Sequence, residues 1–517
     1  YRFGRLEGKK AWRQGLGLAA ISAAKVESSL GPMGAYKMVA YNRGPERIIK
    51  VTKDAVEVLS ELQVQYPALV TLAEAARMQR EDVGDGVTTF VMLLASLLSG
   101  AEKLMEKKVH PNVILKGYLK AATEASRVFD EAALPREATD DEVLEMVDNG
   151  RDILTPKIRA DLKEAAARAE KQGGIDLKRI RVLTKSGGST ADSKLIKGVM
   201  VRKPRIHPSM VEEVRNAKVA LVNKAFDTKP LELMMPGKGP FSIKLEVTDQ
   251  GQIQRFKAGE KKMDDDLVAA VTAAGAKVVV CRAKIREPIA DQMSRMGILA
   301  FEMIDQADMD AVGEATGATA IGEVKNLKTG DLGKATNVRA ERIEGVDYFF
   351  VEAEKGSTLL LRGSSVADTQ ELELVVKNAV RLMGSIRKDG KAVWGGGATY
   401  MRITTRLREY ALEFPGKEQM AILAFADALE QIPGALIRNF GLNYSKVLPE
   451  IRSYHARGVS AMGVGPRGVT DMDGENGVRD LVLPNKLLLS RAYEVSRLLL
   501  RIDEYIYAKE LPLFHKK

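Results

Sequence analysis

The residues best suited to chemistry lie in the ten-residue segment "EDVGDGVTTF", which opens onto a long apolar-periodic segment of helical length. The N-terminus of a helix leaves several N–H groups unsatisfied and carries a partial positive charge, so it can bind an anion. Gly84 and Gly86 would let the backbone approach a phosphate closely. Thr88 and Thr89 could donate their hydroxyls to its oxygens, and Asp85 could hold a hard cation that bridges those oxygens. The segment therefore predicts a loop that binds a metal–nucleotide phosphate.

The same residues are also compatible with a purely structural role. A Gly-Asp-Gly turn followed by threonines that cap a helix would explain each feature singly. Short motifs of this kind also arise by chance. The segment by itself leaves both interpretations open.

Three other segments place glycine or aspartate at the end of a helix. In "SLGPMGAYKM", Gly31 and Gly34 flank Pro32 in a rigid turn whose backbone N–H groups can face a phosphate. In "VTKDAVEVL", Asp54 precedes a helix, where a capping role explains it equally well. In "VWGGGATYMRI", three glycines precede a helix and could press against a flat base or ribose. None of these is a Walker loop or a Rossmann fingerprint, because the required spacing is absent.

The composition is that of a soluble globular protein, with 45% hydrophobic and 29% charged residues. The 517 residues are too many for one core, so about three domains are expected. We expect no membrane span, because no apolar run looks long enough, and no secretory signal is visible, which favours the cytoplasm. The net charge of +10 is mostly interleaved with acids, so nucleic acid is not expected as the main partner.

The number and spacing of the cysteines and histidines argue against disulfide, zinc-binding and Ser-His-Asp sites. The single cysteine, Cys281, cannot form an internal disulfide framework or a cysteine-rich zinc site, and "AKVVVCRA" predicts a buried strand thiol. The four histidines are scattered and suggest neither a metal cluster nor a Ser-His-Asp arrangement.

The hydrophobic pattern divides the chain into a helical, a mixed and a second helical part. From about residue 8 to 132 apolar residues recur every three or four positions, and one predicted hairpin, "KMVAYNRGPERIIKV", interrupts the helices. From about 205 to 360 short β-rich runs alternate with helices, which indicates an α/β unit. After about 365 helices return. This order suggests that the α/β unit is inserted into a base domain made from both ends of the chain.

The glycine-containing motifs are specific as a set. "LGPMG", "VTKDAVEVL", "VGDGVTT" and "WGGGATY" occur in the order and at the separations found in chaperonins, and the chain resembles the group II (archaeal-type, thermosome-like) chaperonins over nearly its whole length. Further matching segments include "SGGSTADSKLIKGVMV" and "GKEQMAILAFADALEQIP". Bacterial relatives of this type exist as well, so the lineage stays open.

The resemblance implies a multi-domain fold: an all-α equatorial domain with a small β-hairpin, and an α/β apical domain inserted through an α+β intermediate domain. The equatorial ATP-binding domain would comprise residues 1–132 and 394–517, the intermediate hinge domain 133–204 and 361–393, and the apical substrate-binding domain 205–360, with a helical protrusion that serves as a lid near 248–266. The lid corresponds to a polar, charged stretch that has little to bury by itself.

The resemblance also implies ATP and Mg²⁺ as cofactors. By this resemblance Leu30, Gly31 and Pro32 would contact the nucleotide, and Gly86, Thr88 and Thr89 would contact its phosphates. Gly396 and Gly397 would lie against the nucleoside, and Asp480 would reach the ribose. Asp85 would bind the magnesium ion, and Asp54 would help to position the attacking water.

The sequence departs from the family pattern at several of these positions. Val87 stands where threonine is usual, Ala55 replaces a glycine and Trp394 a proline. The most consequential departure is Asn378 in "VVKNAVRLM", where the family carries a catalytic aspartate on an intermediate-domain helix. An amide can orient water but cannot take a proton, and loss of a general base commonly costs about 10²–10⁴ in rate. The sequence therefore supports ATP binding better than fast hydrolysis.

The predicted function is that of an ATP-dependent protein-folding chaperone, an ATPase that assembles into stacked double rings and encloses non-native polypeptide with a built-in lid. Asn378 and Val87 favour an alternative, a hydrolysis-impaired nucleotide-binding subunit that acts as a holdase or as a structural member of a mixed ring. A nucleic-acid-binding ring is a further alternative, motivated by the net charge alone.

Overall fold

The computed structural model describes residues 4–7, 17, 20, 22–43, 46–61, 67–171, 174–226, 250–343, 345–474, 477–502 and 504–507. The predicted strand "SIKLEV" and the first two residues of the predicted lid, 248 and 249, lie outside these residues.

Helices from both ends of the chain share one hydrophobic core. At its centre is the Val87–Glu106 helix, whose Phe90, Leu94 and Leu97 are fully buried because the helix is apolar on most of its circumference. Tyr118 is buried against Phe425 and donates its hydroxyl to the Leu97 carbonyl at 2.7 Å. The helices of this core are residues 22–27, Ala55–Glu61, Pro67–Val83, Val87–Glu106, Pro111–Glu131, Ala398–Ala411, Lys417–Asn439 and Val482–Leu499. The Tyr444–Ala456 helix packs beside them through a smaller cluster that includes Met401 and Ile437.

Short antiparallel strand pairs border these helices. The predicted hairpin is present, and its register pairs Lys37 with Thr52. The four pairs are Gly4–Glu7 with Glu504–Tyr507, Lys37–Arg43 with Glu46–Thr52, Ala392–Trp394 with Arg479–Leu481, and Met462–Gly465 with Gly468–Asp471.

A second core lies in a seven-stranded mixed sheet and its helices. Cys281 is buried in one of the strands, as predicted, and burial raises the pKa of its thiol to about 11. In sheet order the strands are Leu299–Phe301, Val278–Cys281, Glu213–Val222, Gly333–Ile343, Val346–Glu352 and Gly198–Val201, and Ala320–Ile321 also pairs with Glu213–Val222. The helices are Gln250–Ala274, Glu287–Arg295 and Gln306–Thr316, and Val324–Asn326 and Thr329–Asp331 form 3₁₀ turns.

A third core connects the other two. It contains a three-stranded sheet in which Ser357–Gly363 lies between Ile180–Ser186 and Lys194–Ile196. Its helices are Asp140–Asp148, Pro156–Arg168 and Val366–Ile386; Glu170–Lys171 pairs with Gly174–Ile175, and Leu177–Arg179 and Thr190–Asp192 are 3₁₀ turns. The chain therefore passes through this core once on the way to the large sheet and once on the way back.

Two helices are long and apolar enough to cross a membrane, which corrects the expectation that no segment would be. They are Val87–Glu106 and Lys417–Asn439. In their most apolar windows 61% and 67% of the residues are buried inside the protein, so both have the character of core helices.

Candidate functional site

Five segments of the chain, at residues 29–31, 53–55, 84–89, 146–151 and 378, meet at a crevice of about 100 Å³. Most of the residues predicted to bind ATP line it, although they come from distant parts of the chain. The predicted site residues that line the crevice are Leu30, Gly31, Asp54, Asp85, Gly86, Thr88, Thr89 and Asn378.

The phosphate loop joins the Pro67–Val83 helix to the Val87–Glu106 helix. Gly84 and Gly86 have φ of 79° and 78°, in the left-handed region that favours glycine. Gly86 is the N-cap of the second helix, and no side chain caps its first turn. The threonine-cap alternative is therefore wrong here, and Val87, Thr88 and Thr89 of the first turn line the crevice.

Gln79, which was not predicted as a site residue, fixes the backbone of the phosphate loop. Gln79 is fully buried and donates its side-chain amide to the carbonyls of Asp85 and Pro484, each at 3.1 Å. Arg491 in turn donates to the Gln79 amide oxygen. A buried glutamine whose polar atoms are all satisfied fixes the backbone of the loop.

Asp85 lines the crevice between the two glycines of the phosphate loop. Its carboxylate is open to the crevice, but protein surrounds it on the other sides, and this desolvation raises its pKa. The hydrogen bond from the Gly86 N–H and the positive charge of Arg151 partly offset this rise in the pKa of Asp85. Within the described ranges no group of three or more acidic, histidine or cysteine side chains could hold a metal ion by itself. A magnesium ion would thus need phosphate oxygens as further ligands, as a metal–nucleotide complex provides.

Asp480 lies near Asp85 without lining the crevice. It belongs to the Arg479–Leu481 strand, where it pairs with Val393. Burial and the negative charge of Asp85 raise its pKa to about 7. The structure therefore brings this residue close to the predicted metal ligand.

Gly396, Gly397 and Pro32 are not among the residues that line the crevice. The left-handed conformation of Gly397 starts the Ala398–Ala411 helix, and a Cβ there would lie 2.8 Å from Pro433. A Cβ on Gly396 would collide with the side chain of Met472. Both glycines are thus required by the packing of the chain itself. Pro32 contributes its carbonyl, which accepts a hydrogen bond from the Lys53 ammonium at 3.2 Å.

Asp54 caps a helix and also lines the crevice. One carboxylate oxygen, Oδ1, accepts the N–H groups of Val56 at 2.8 Å and Glu57 at 3.1 Å, which is the capping role that the sequence left open. Arg80 donates to the same oxygen at 3.3 Å. Burial raises the pKa of Asp54, and the charge of Arg80 lowers it in part.

Asn378 reaches the crevice from the Val366–Ile386 helix, which packs directly on the phosphate loop. A Cβ on Gly84 would lie 2.5 Å from the Asn378 carbonyl oxygen, so only glycine permits this approach. The site thus joins a helix of the third core to the loop of the first.

Two cations of the crevice, Lys53 and Arg151, were not predicted as site residues. Lys53 is 5% exposed, and burial and the charge of Arg151 lower the pKa of its ammonium. Arg151 donates Nε to the Glu371 carboxylate at 3.1 Å. Lys53 was visible beside Asp54 in the sequence, whereas nothing in "DNGRD" marked Arg151. Both cations line the crevice beside a helix N-terminus that no side chain caps.

Comparison with known proteins gives consistent matches along the chain. The model of the TCP-1/cpn60 chaperonin family matches residues 23–510. The chain is 34% identical over 522 residues to a thermosome subunit of Methanopyrus kandleri, which covers 98% of this chain and 94% of that protein. It is 34% identical over 520 residues to a thermosome subunit of Methanothermococcus thermolithotrophicus, covering 98% and 93%, and 32% identical over 521 residues to thermosome subunit alpha of Archaeoglobus fulgidus, covering 98% and 94%.

Proposed function

The chain belongs to the TCP-1/cpn60 chaperonin family, and we infer that it is a group II chaperonin subunit: an ATPase that assembles into stacked rings and uses ATP to fold the non-native polypeptides it encloses. The observation that carries this inference is the uncapped N-terminus of the Val87–Glu106 helix beside the Asp85 carboxylate. This pair offers N–H groups to phosphate and an oxygen ligand to Mg²⁺.

The crevice residues divide the work of phosphate binding. The N–H groups after Gly86 and the hydroxyls of Thr88 and Thr89 would donate to phosphate oxygens, and Lys53 and Arg151 would supply positive charge. Asp85 would hold the magnesium ion. Held there, the ion would supply positive charge against the negative charge that develops on the phosphate.

Asp54 and Asn378 are the proposed catalytic residues. Asp54 uses Oδ1 for the helix cap and for Arg80, so Oδ2 is the oxygen we assign to the attacking water. Asn378 lines the same crevice but cannot accept a proton. We therefore propose slow hydrolysis, since the missing general base is worth about 10²–10⁴ in rate.

We assign the three cores to the three domains of the family. The core formed by both chain ends would be the equatorial domain (residues 1–132 and 394–517), the connecting core the intermediate domain (133–204 and 361–393), and the seven-stranded sheet the apical domain (205–360). The Gly198–Val201 strand pairs with Val346–Glu352 in the large sheet, which supports an apical domain that begins a few residues before 205.

The lid and the location of the protein are proposals of the same kind. Residues 250–266 form the first part of the Gln250–Ala274 helix, and this is compatible with a helical protrusion. Asp265 and Asp266 are exposed, as a polar protruding element requires. We propose that the assembly is located in the cytoplasm. We also propose that Gly396, Gly397 and Asp480 lie near the nucleoside of bound ATP.

The alternative is a subunit that binds nucleotide but barely hydrolyses it. Asn378 favours this alternative, because it lines the crevice at the position where the family has an aspartate. Such a subunit would hold unfolded proteins, or complete a mixed ring, without turnover.

One experiment on the purified protein separates these outcomes. Steady-state ATP hydrolysis is measured with and without Mg²⁺, together with ATP-dependent refolding of a denatured protein, and the particles are imaged by electron microscopy. We expect stacked rings and slow, Mg²⁺-dependent hydrolysis coupled to refolding. Rings that prevent aggregation without hydrolysis would favour the alternative, and monomers that bind no nucleotide would contradict both.

A further inference from the structure

The side-chain oxygen of Asn378 is already used. Arg381, one helical turn later on the same helix, places Nη1 3.4 Å from Asn378 Oδ1. A guanidinium carries only donors, so the amide must turn its oxygen, and not its nitrogen, toward Arg381. The NH₂ group of Asn378 is then the part left to face the crevice that this residue lines.

Arg381 is held where it can maintain this orientation. A Cβ on Gly84 would lie 3.0 Å from the Arg381 Cβ, so the arginine stem lies against the phosphate loop. The guanidinium is half-buried. Arg80, a second cation near Arg381, is paired with Asp54 at 3.3 Å and with Glu57 at 2.8 Å.

The direction of the amide determines what Asn378 can do. An NH₂ group donates to an anion such as a phosphate oxygen. With its oxygen turned toward Arg381, Asn378 presents a donor to the crevice, and a donor suits a phosphate oxygen rather than a water molecule that must be held through its proton.

We propose that Arg381 is a positioning residue that turns the Asn378 amide so that its NH₂ group donates to the terminal phosphate of bound ATP. Asn378 thereby distinguishes ATP from ADP instead of activating water. The proposal rests on the proposed function of the crevice as a nucleotide site. It also changes the meaning of the asparagine: a carboxylate at this position would pair with Arg381, as opposite charges three residues apart on a helix do, and would turn an acceptor toward the phosphate.

The test measures the dissociation constants of ADP and of a non-hydrolysable ATP analogue, both with Mg²⁺, for the assembled protein. The variants are Arg381→Met, Asn378→Ala and the double variant. A hydrogen bond to a charged group is worth enough to change affinity about tenfold or more. We expect each single variant to lower the preference for the ATP analogue over ADP by roughly tenfold. The double variant should lose no more than either single variant, because the two residues act through one hydrogen bond.

Two further variants separate positioning from general damage. Lys377→Met removes a neighbouring cation that pairs with Glu373 on the outside of the same helix, and it should leave the preference unchanged. Asn378→Asp keeps the shape of the side chain and does not depend on how well Arg381 variants fold. It should weaken the ATP analogue relative to ADP, because a carboxylate oxygen then faces the phosphate.

The outcomes are distinguishable from failure of the proposed function. If the parent protein binds neither nucleotide, the crevice is not a nucleotide site. If it binds both, and Arg381→Met leaves the preference for the ATP analogue unchanged, the positioning role is wrong. An Asn378→Asp variant that keeps the parent's preference for the ATP analogue over ADP would likewise overturn the proposal, because a carboxylate that faces the phosphate should weaken binding of the analogue.

Discussion

Asp85, which lines the crevice, and Asp480, which lies near it, are two carboxylates that repel each other. Each is desolvated by the surrounding protein, and the charge of Asp85 contributes to the raised pKa of Asp480. Repulsion of this kind is tolerated at sites where a cation relieves it on binding. The role of Asp85 can therefore be tested with Mg-ATP, and the raised pKa of Asp480 can be tested in the protein alone.

Asp85→Ala tests the metal site. Residues that only support a metal ligand are already worth about 10–100-fold in metal affinity, so loss of the ligand itself should weaken binding of Mg-ATP by at least about tenfold. Equilibrium binding measures this, and light scattering checks that the assembly persists. Glu81→Ala is the matched control, since Glu81 is an exposed acid of the preceding helix that pairs only loosely with Arg77. Unchanged affinity in Asp85→Ala would return this aspartate to the role of a turn residue.

Asp480→Asn tests the raised pKa. Between pH of about 4 and 7 the folded chain holds a proton on Asp480 that the unfolded chain has released, so this residue makes stability fall as the pH rises through that window. The variant removes the effect, and without Mg²⁺ it should raise Tm at pH 8 by roughly 1–2 °C while leaving Tm at pH 4 unchanged. Thermal scans at both pH values measure it. The exposed Asp473→Asn should show no such pH dependence, and an equal offset of Asp480→Asn at both pH values would exclude charge as the cause.

At the residue scale the sequence revealed the motif residues but not their partners. Asp85, Asp54 and Asn378 stood in recognisable segments, and they meet at one crevice. Lys53 and Arg151 are nearly one hundred positions apart, and only folding brings them together. A single basic residue carries no local signal, because its function depends on which loop packs beside it. The same limit affected Gly396 and Gly397, whose packing against Met472 and Pro433 is a long-range property.

At the scale of elements, the Val366–Ile386 helix connects the phosphate loop to the rest of the molecule. Glu371 and Asn378 are two turns apart and so share one face. Glu371 is buried, pairs with Arg151 and accepts a hydrogen bond from the Thr52 side chain. Asn378 contacts the loop at Gly84. Because the Val366–Ile386 helix is attached at two points of the crevice, we expect it to move as a rigid unit when the crevice residues move.

Gly84→Ala tests this attachment. Alanine at Gly84 is strained because φ is 79°, and its Cβ would lie 2.5 Å from the Asn378 carbonyl oxygen. The left-handed conformation alone costs about 1–2 kcal/mol, so Tm should fall, and ATP hydrolysis should fall further because the helix is pushed from the loop. Calorimetry and steady-state kinetics measure the two effects.

Gly441→Ala is the matched control for this substitution. Gly441 has a φ of 69°, but an added Cβ there would meet nothing within 4 Å. It should lose comparable stability and retain hydrolysis. If both variants lose hydrolysis equally, contact with the helix is not what Gly84 provides.

The helices and strands were easier to predict than the positions at which the chain leaves one core and enters the next. Helical periodicity in both end regions and alternating strands in the middle correspond to the helices and the large sheet of the structure. The Gly198–Val201 strand could not be assigned from its own sequence, because an apolar run of four residues fits either neighbouring sheet. Its hydrogen bonds to Val346–Glu352 decide the matter, and these form between residues about 150 positions apart.

At the scale of the whole molecule, the surface of the hairpin indicates where subunits meet. Met38 is 71% exposed and Ile49 50% exposed. The register pairs Met38 with Val51 and Ala40 with Ile49, so these side chains lie on one face of the hairpin. An apolar face left open on a single chain is the kind of surface that assembly covers.

A charge on this face tests the assembly. Met38→Lys places an ammonium where we expect apolar contact with a neighbouring subunit, and burying an unpaired charge is costly enough to prevent that contact. Light scattering at micromolar concentration should therefore shift from the mass of a ring assembly toward that of single chains. Leu412→Lys is the matched control, because Leu412 is 75% exposed at the end of the Ala398–Ala411 helix and is not part of the hairpin. The control should keep the large mass. If Met38→Lys also keeps it while both variants remain folded, this face of the hairpin does not join the subunits, and the contact must be sought elsewhere on the surface.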